Sequence, residues 1–241
     1  MSHYHNVELG HVRLAYRMVE AGPHARADAV PMVLLHGGGG DGTTWDDLVP
    51  GFAQHRTVYV PDLRGMGRSE RVGPYSLTGM RDDLLGLLDE TKLDRVILVG
   101  HSLGGFVAML MAQLATARVA ALVLEECPPP VPLGLAIPTG LDESAPFYDR
   151  EIRPSVLSEL NAPDPAWWEG LATLDVPTLV LAGGSASHVS QEEMARMADR
   201  LPAGRLLTIP AGHQIHRDAP GAFTAAVESF LAALGQSRFV E

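Results

Sequence analysis

Short apolar runs alternate along the chain with longer stretches in which apolar residues recur every three or four positions. Runs rich in Val, Ile and Leu that stay apolar at successive positions are typical of strands covered on both faces. The predicted strands are Val12–Val19, Met32–Leu35, Thr57–Val60, Val96–Val99, Ala121–Leu124, Thr178–Leu181 and Leu206–Ile209. A mostly parallel sheet is therefore predicted.

The stretches between these runs carry helical spacing. The two clearest apolar faces are Leu77, Met80, Leu84, Leu87 and Leu88, and then Phe223, Val227, Phe230, Leu231 and Leu234. Ser76 is a predicted N-cap for the first helix, and Ser190 followed by Glu193 has the spacing of a capping box. Alternating strands and helices predict an α/β fold, with an open sheet and helices on both faces.

Residues 127–176 interrupt this alternation. The segment begins with four prolines within five positions, lacks strand signals and carries the aromatic residues Phe147, Tyr148, Trp167 and Trp168. We predict that it is a small cap or lid over the carboxyl edge of the sheet, where open α/β folds bind ligands. Residues 1–126 and 177–241 would then form the core.

Composition excludes several classes of partner. The 241 residues are 46% apolar and 20% charged, with a formal net charge of −11 and no basic run. Phosphate groups need clustered Lys and Arg, so no nucleic-acid or membrane partner is expected. The only cysteine, Cys127, excludes an intrachain disulfide. Without a visible leader or an apolar run of about 18 residues, we expect a soluble cytoplasmic protein.

The segment Gly100-His101-Ser102-Leu103-Gly104 follows a predicted strand and opens a predicted helix. In that setting the G-x-S-x-G pattern places a serine on a sharp, strained turn, and the flanking glycines avoid side-chain clashes. Backbone N–H groups at the helix start would face an oxyanion. The alternative is a glycine-rich helix start with a structural serine. The pattern favours Ser102 as a nucleophile.

With three further motifs, the chain resembles the α/β-hydrolase family. These motifs, in the order that the family shows, are His36-Gly37-Gly38-Gly39-Gly40, Asp62-Leu63-Arg64-Gly65-Met66-Gly67-Arg68-Ser69 and Ala211-Gly212-His213. The resemblance implies the α/β-hydrolase fold and His213 as the general base. It also implies that the N–H groups of Gly38 and Leu103 form the oxyanion hole, with His36 bracing the glycine loop.

His216 lies three residues beyond His213, and we expect it at the rim of the site. A metal held by these two histidines is conceivable, but no third ligand is apparent. The resemblance implies that neither a metal nor another cofactor is required.

The acid of the triad departs from the commonest family pattern. Residues 183–190, where most members carry an Asp, contain no carboxylate, and Glu192 and Glu193 are explained by helix capping. Haloalkane dehalogenases and certain lactonases place the acid after the strand that follows the nucleophile helix. Glu125 and Glu126 stand there in this chain. Adjacent strand residues point to opposite faces, so only one of them can face His213. The resemblance favours Glu126 over Glu125, and another residue or water in the place of the acid remains an alternative. The other glutamate is expected to be solvated.

The resemblance implies a serine hydrolase that cleaves a small, apolar ester, thioester or lactone through an acyl-enzyme. Candidate substrate-binding residues are Gly39, Tyr148, Trp167 and Trp168. A serine at position 102 disfavours epoxide hydrolases and dehalogenases, which need a carboxylate nucleophile. C–C bond hydrolases and cofactor-free perhydrolases share the serine triad and remain alternatives. A catalytically silent ligand-binding protein is an alternative from another class.

Overall fold

A computed structural model describes residues 3–137 and 148–237. Eight strands form one sheet within this part of the chain. They are β1 (Tyr4–Glu8), β2 (Arg13–Val19), β3 (Met32–Leu35), β4 (Val58–Pro61), β5 (Val96–His101), β6 (Val119–Glu125), β7 (Thr178–Ala182) and β8 (Gly204–Thr208). The spatial order is β1-β2-β4-β3-β5-β6-β7-β8, and β3 to β8 pair in parallel.

Eight α-helices connect or flank these strands in the described residues. They are α1 (Val49–Phe52), α2 (Leu77–Glu90), α3 (Leu103–Leu114), α4 (Ile152–Asn161), α5 (Pro165–Gly170), α6 (Gln191–Arg200), α7 (Ile215–Asp218) and α8 (Pro220–Ser237). The predicted caps form: Ser76 accepts from the N–H of Gly79, and Ser190 accepts from the N–H of Glu193. These contacts satisfy amides that a helix start leaves without an internal partner.

The core divides into two hydrophobic clusters, one on each face of the sheet. Successive residues of one strand alternate between them: Val33 and Leu35 belong to the cluster under α2 and α3, whereas Met32 and Leu34 belong to the cluster under α8. This alternation follows from the two-residue period of a strand. The predicted open, mostly parallel sheet with helices on both faces is confirmed.

Strand β1 was not predicted. Its side chains are exposed or half-buried apart from Val7, and it pairs only with β2, in antiparallel register. An edge strand of this kind carries almost no apolar pattern, so hydrophobic periodicity cannot reveal it. The structure also begins β6 two residues earlier than predicted, at Val119, and ends β5 at His101.

The predicted cap segment is described in part. Phe147 lies outside the described residues, as do all positions from 138 to 147. Helices α4 and α5 lie in the segment, and Tyr148 forms an isolated antiparallel bridge with Met66. That bridge ties the segment to the loop that follows β4. The division into core and cap stays a prediction.

Candidate active site

Ser102 stands on a strained turn between β5 and α3. Its backbone has φ 50° and ψ −114°, a combination that non-glycine residues avoid. Its N–H donates to the carbonyl of Glu125 over 2.9 Å, which joins the turn to the end of β6. The flanking glycines are required sterically, because a Cβ on Gly100 or on Gly104 would lie 2.4 Å from a backbone oxygen. The turn therefore presents Ser102 in the predicted manner.

The glycine loop after β3 lies against this turn. A Cβ built on Gly37 would lie 3.5 Å from the Cβ of Ser102, and one on Gly38 would lie 3.6 Å from Cδ2 of Leu103. The backbone of Gly38 is thus a close neighbour of the nucleophile and of the first residue of α3. This closeness is what an oxyanion hole formed by the N–H groups of Gly38 and Leu103 would require.

His36 holds this glycine loop in place through two hydrogen bonds. It is fully buried; its Nδ1 donates to the carbonyl of Gly37 over 2.8 Å, and its Nε2 accepts the N–H of Leu63 over 3.0 Å. Burial lowers the pKa of His36, which keeps the ring neutral and suits one donor and one acceptor nitrogen. The bracing role expected of His36 has a geometric basis in these two contacts.

His213 follows β8 after a turn in which Gly212 has φ 76°. Its Nδ1 lies 3.2 Å from Oε2 of Glu126, and its backbone carbonyl accepts from Nε2 of His101 over 2.8 Å. The second contact ties His213 to the residue before Ser102. Among the described residues no hydrogen bond joins the His213 ring to Ser102. In enzymes without substrate this contact is often long and shortens in the Michaelis complex.

Glu126 is 0% exposed and is held by four donors. The N–H of Gly183 and the hydroxyl of Ser187 make short hydrogen bonds to it, and Nε2 of Gln191 lies 3.3 Å from Oε1. His213 is the fourth donor. Burial alone would raise the pKa of Glu126, but the hydrogen bonds from His213, Ser187 and Gly183 hold that pKa below its ordinary value. The carboxylate is therefore ionised at neutral pH and orients the imidazole.

Glu125 and His216 correct two expectations. Glu125 is 0% exposed and His216 is 2% exposed, so neither the solvated glutamate nor the rim histidine is found. Nδ1 of His216 lies 2.8 Å from Oε2 of Glu125, and the N–H of His216 donates to Oε1 over 2.8 Å. β6 ends at Glu125, and the backbone of Glu126 is left-handed, with φ 48°. The two neighbouring carboxylates meet different histidines, and His216 reaches Glu125 from the short helix α7. Trp45 stacks on the His216 ring at 4.3 Å.

Burial shapes the charges of this second pair. It raises the pKa of Glu125 to about 7 and lowers that of His216 to about 4. Burial also lowers the pKa of His101 to about 4. His216 is consequently neutral near pH 7 and donates through Nδ1 to Glu125.

His101, Glu125 and His216 also form a group with metal-ligand chemistry. One ligand atom from each lies within 4.8 Å of the others, and all three residues are buried. A metal there would have to displace the His216–Glu125 hydrogen bond. The trio differs from the His213–His216 pair considered from the sequence, and the hydrogen bonds explain its geometry without an ion.

The loop after β7 and the first residue of α6 supply further candidates. The sequence suggests that Ser187 and His188 fill this loop or form hydrogen bonds there, whereas it gives no signal for Gln191. Ser187 and Gln191 contact Glu126, and the ring of His188 lies 4.1 Å from that of His213. The one available signal was the loop itself, because it stands where most family members carry the acid. A polar loop lacking its carboxylate is a natural place to look for donors to a carboxylate that comes from elsewhere.

The predicted substrate-binding residues fall in different places. Gly39 is exposed, and a Cβ on it would lie 3.6 Å from Cε1 of Tyr148, so Tyr148 borders the glycine loop. Trp167 packs edge-on against Phe106 of α3, with centroids 5.5 Å apart. Trp168 instead lies under two guanidinium groups of α6, those of Arg196 and Arg200. Of the predicted aromatic residues in the described part of the chain, Tyr148 is the one found against the glycine loop.

A profile of the alpha/beta hydrolase fold matches residues 30–154, which is more than half of the 241 residues. This chain belongs to the α/β-hydrolase family. It is 28% identical to a 2-hydroxy-6-oxo-2,4-heptadienoate hydrolase of Pseudomonas putida, with 95% of this chain and 98% of that protein covered. It is 29% identical to an sn-1-specific diacylglycerol lipase of Mus musculus, with 94% and 88% covered.

Solved structures agree with this assignment. The crystal structure of a hydrolase from Pseudomonas aeruginosa superposes with a TM-score of 0.82 at 26% identity, over 95% of this chain and 98% of that one. The relatives named here are thus hydrolases, and one of them is a lipase. Within the described residues, no helix combines the length and the apolar character that crossing a bilayer demands.

Proposed function

We propose that the protein is a serine hydrolase that cleaves a small, apolar carboxylic ester, thioester or lactone through an acyl-enzyme. The observation that carries the proposal is the buried Glu126 paired with the half-buried His213 beside a strained Ser102. A neutral His213 bound through Nδ1 to an ionised Glu126 keeps its Nε2 unprotonated, as a general base requires. The lipase among the relatives supports ester chemistry.

In the proposed reaction, Ser102 Oγ attacks the substrate carbonyl while Nε2 of His213 takes the hydroxyl proton. The N–H groups of Gly38 and Leu103 stabilise the oxyanion, and Glu126 stabilises the imidazolium. Collapse of the tetrahedral intermediate transfers the proton from His213 to the leaving oxygen or sulfur. Water then attacks the acyl-enzyme while His213 takes a proton from it, and His213 returns that proton to Ser102 Oγ as the bond between Oγ and the acyl carbon breaks and the acid is released.

The first experiment measures the rate at which a fluorophosphonate labels Ser102, followed by intact mass, in wild type, Glu126→Gln and Glu125→Gln. It requires no knowledge of the substrate. We expect single-site labelling of the wild type and a fall of about 100-fold or more in Glu126→Gln, because loss of the triad acid costs about 10⁴ in kcat. Ser102→Ala is the blank, and thermal unfolding checks that each variant is folded.

Each contrary outcome has a definite meaning. Equal, fast labelling of the wild type and Glu126→Gln, with loss in Glu125→Gln, would move the acid to Glu125. A folded wild type that stays unlabelled would refute the hydrolase and leave a catalytically silent ligand-binding protein of this fold.

A second candidate function, C–C bond hydrolysis, is favoured by the relative from Pseudomonas putida, a 2-hydroxy-6-oxo-2,4-heptadienoate hydrolase. The same triad serves that reaction and cofactor-free perhydrolysis. Rates for short p-nitrophenyl esters, a γ-lactone and a 2-hydroxy-6-oxo dienoate, each with Ser102→Ala as control, separate the candidates. Turnover of the dienoate alone would replace the ester proposal.

A further inference from the structure

We propose that Ser187 and Gln191 are positioning residues that fix Glu126 against His213, and that Ser187 competes with His213 for one oxygen of that carboxylate. The inference rests on the proposed triad and assigns a role to the loop between β7 and α6. In most members of the family this loop carries the acid of the triad. With the acid after β6, the family pattern assigns no role to the loop.

The two oxygens of the Glu126 carboxylate have different hydrogen-bond donors. At one end Oε2 accepts from both Ser187 Oγ and Nδ1 of His213, the latter over 3.2 Å. At the other end Oε1 accepts from the N–H of Gly183 and from Nε2 of Gln191, the latter over 3.3 Å. A carboxylate held at both oxygens cannot rotate about its last torsion, so its orientation toward the imidazole is set by the loop.

The loop itself is braced for this task. Oε1 of Gln191 accepts the N–H of Gly184 over 2.8 Å, and its Nε2 also donates to the carbonyl of Val189 over 2.9 Å. The hydroxyl of Ser187 accepts the N–H of Val189 over 3.0 Å, which leaves its own proton for Glu126. Ser187 and Gln191 thereby fold the loop around the carboxylate.

Sharing one oxygen has an electrostatic consequence. The Ser187 hydroxyl spreads the negative charge of Oε2 and weakens its attraction for a protonated imidazole. Without that hydroxyl, the charge on Oε2 acts on His213 alone and favours the imidazolium in the free enzyme. The acid limb of the kcat/KM profile, which reports the protonation of the free enzyme, would then move to higher pH.

The titratable groups around His213 come from several elements. Glu126 and Glu125 lie at the end of β6, His101 at the end of β5, His188 in the loop and His216 in α7. Ser187→Ala replaces none of these groups. A shift in the acid limb of the kcat/KM profile would therefore be attributed to the lost hydrogen bond between Ser187 and Glu126.

The test compares pH profiles of kcat/KM, on an activated ester, for the wild type, Ser187→Ala, Ser187→Thr and Ser185→Ala. Ser185 lies two residues away in the same loop and is exposed. We expect Ser187→Ala to lower kcat by about tenfold and to move the acid limb up by about half a pH unit. Ser187→Thr keeps a hydroxyl and should stay near the wild type, as should Ser185→Ala. Gln191→Leu should lower kcat without removing the competition at Oε2.

Proton NMR supplies a readout that needs no turnover. The Nδ1–H of His213 should give a downfield resonance that disappears in Glu126→Gln and shifts in Ser187→Ala. If the pH profiles of wild type and Ser187→Ala superimpose and the His213 resonance does not shift, the positioning role is overturned. The proposed hydrolase would still stand as long as the fluorophosphonate labels Ser102. An unlabelled Ser102 in folded wild type overturns both proposals.

Discussion

Replacing His216 with Phe tests the buried Glu125–His216 pair in a direct way. The wild-type ring stacks on Trp45 at 4.3 Å and meets Phe223 edge-on at 6.3 Å. Phe has nearly the same shape, and Nε2 of His216 already lacks a partner, so the packing should survive. What the substitution removes is the Nδ1 donor to Glu125, which is 0% exposed.

The magnitude follows from the donors that remain. Glu125 would retain the N–H of His216, donated over 2.8 Å. It would lose the Nδ1 donor of His216, which lies 2.9 Å from Oε1 and 2.8 Å from Oε2. Breaking a buried ionisable pair by removing one partner costs about 3–5 kcal/mol. We expect a loss near the lower end, about 3 kcal/mol, because a carboxyl whose pKa is already raised to about 7 escapes part of the penalty by taking up a proton.

That escape gives the prediction a pH signature. Loss of the donor raises the pKa of Glu125 further above its ordinary value of 4.5. A carboxyl with a raised folded-state pKa loses stability as pH rises above its unfolded-state pKa. The cost of His216→Phe should therefore be larger at about pH 8 than at about pH 5.5.

Urea unfolding followed by circular dichroism at both pH values measures the cost. Glu125→Gln keeps an acceptor for the backbone N–H and should cost about 1 kcal/mol; the double variant should cost less than the sum by about 1–2 kcal/mol. His11→Phe is the matched control: His11 also meets a carboxylate, that of Asp83 at 2.9 Å, but its side chain is 55% exposed. We expect under about 1 kcal/mol there. A cost of His216→Phe that is equally small, or independent of pH, refutes the reasoning.

Two other predictions concern the elbow and acid sensitivity. Gly104→Ala should cost several kcal/mol or prevent folding, since its Cβ would lie 2.4 Å from the carbonyl oxygen of Leu35, whereas Gly51→Ala, with nothing within 4 Å, should stabilise α1 by about 0.5–1 kcal/mol in the same urea assay. Burial lowers the pKa of His101 and of His216 from 6.5 to about 4, so the unfolded chain binds more protons between these values. Glu125 opposes one of the two, and the unfolding free energy should fall by on the order of 1 kcal/mol per pH unit on acidification from about pH 6.5 to 4.5. Greater stability at about pH 5 than at about pH 6.5 would contradict the buried neutral histidines.

The sequence predicted those features that a local pattern specifies. The run Val96–Val99 is apolar throughout because both faces of its strand are covered, and the N-cap at Ser76 is a short-range contact. The elbow at Ser102 needs only flanking glycines in the right setting. Strand β1 was not predicted because Val7 is its one buried residue, so its sequence shows no apolar pattern.

The site was predictable only in part. The resemblance favoured Glu126, and the structure places its Oε2 3.2 Å from Nδ1 of His213. Strand alternation was the wrong reason for separating it from Glu125, because β6 ends at Glu125 and Glu126 has φ 48°. The donors Ser187 and Gln191 lie 61 and 65 positions from Glu126 along the chain, and no periodicity encodes such a contact. A histidine near a helix start is ordinarily exposed, so the burial of His216 depends on where α7 packs and could not be read from spacing.

Two neighbouring carboxylates, Glu125 at the end of β6 and Glu126 just after it, contact two different histidines. The left-handed backbone of Glu126, with φ 48°, ends the strand geometry between them, so Glu126 meets His213 while Glu125 meets His216 of α7. The Glu125–His216 pair is buried, and Trp45 packs against it, whereas 21% of the His213 side chain is exposed to solvent. The proposed role of His213 as a base needs that exposure, because a base exchanges protons with substrate and water. His101 contacts both histidines: its Nε2 donates to the carbonyl of His213 over 2.8 Å, and its ring lies 4.9 Å from that of His216. The two glutamate–histidine pairs thus differ in the solvent access of the histidine and in the donors that hold each carboxylate.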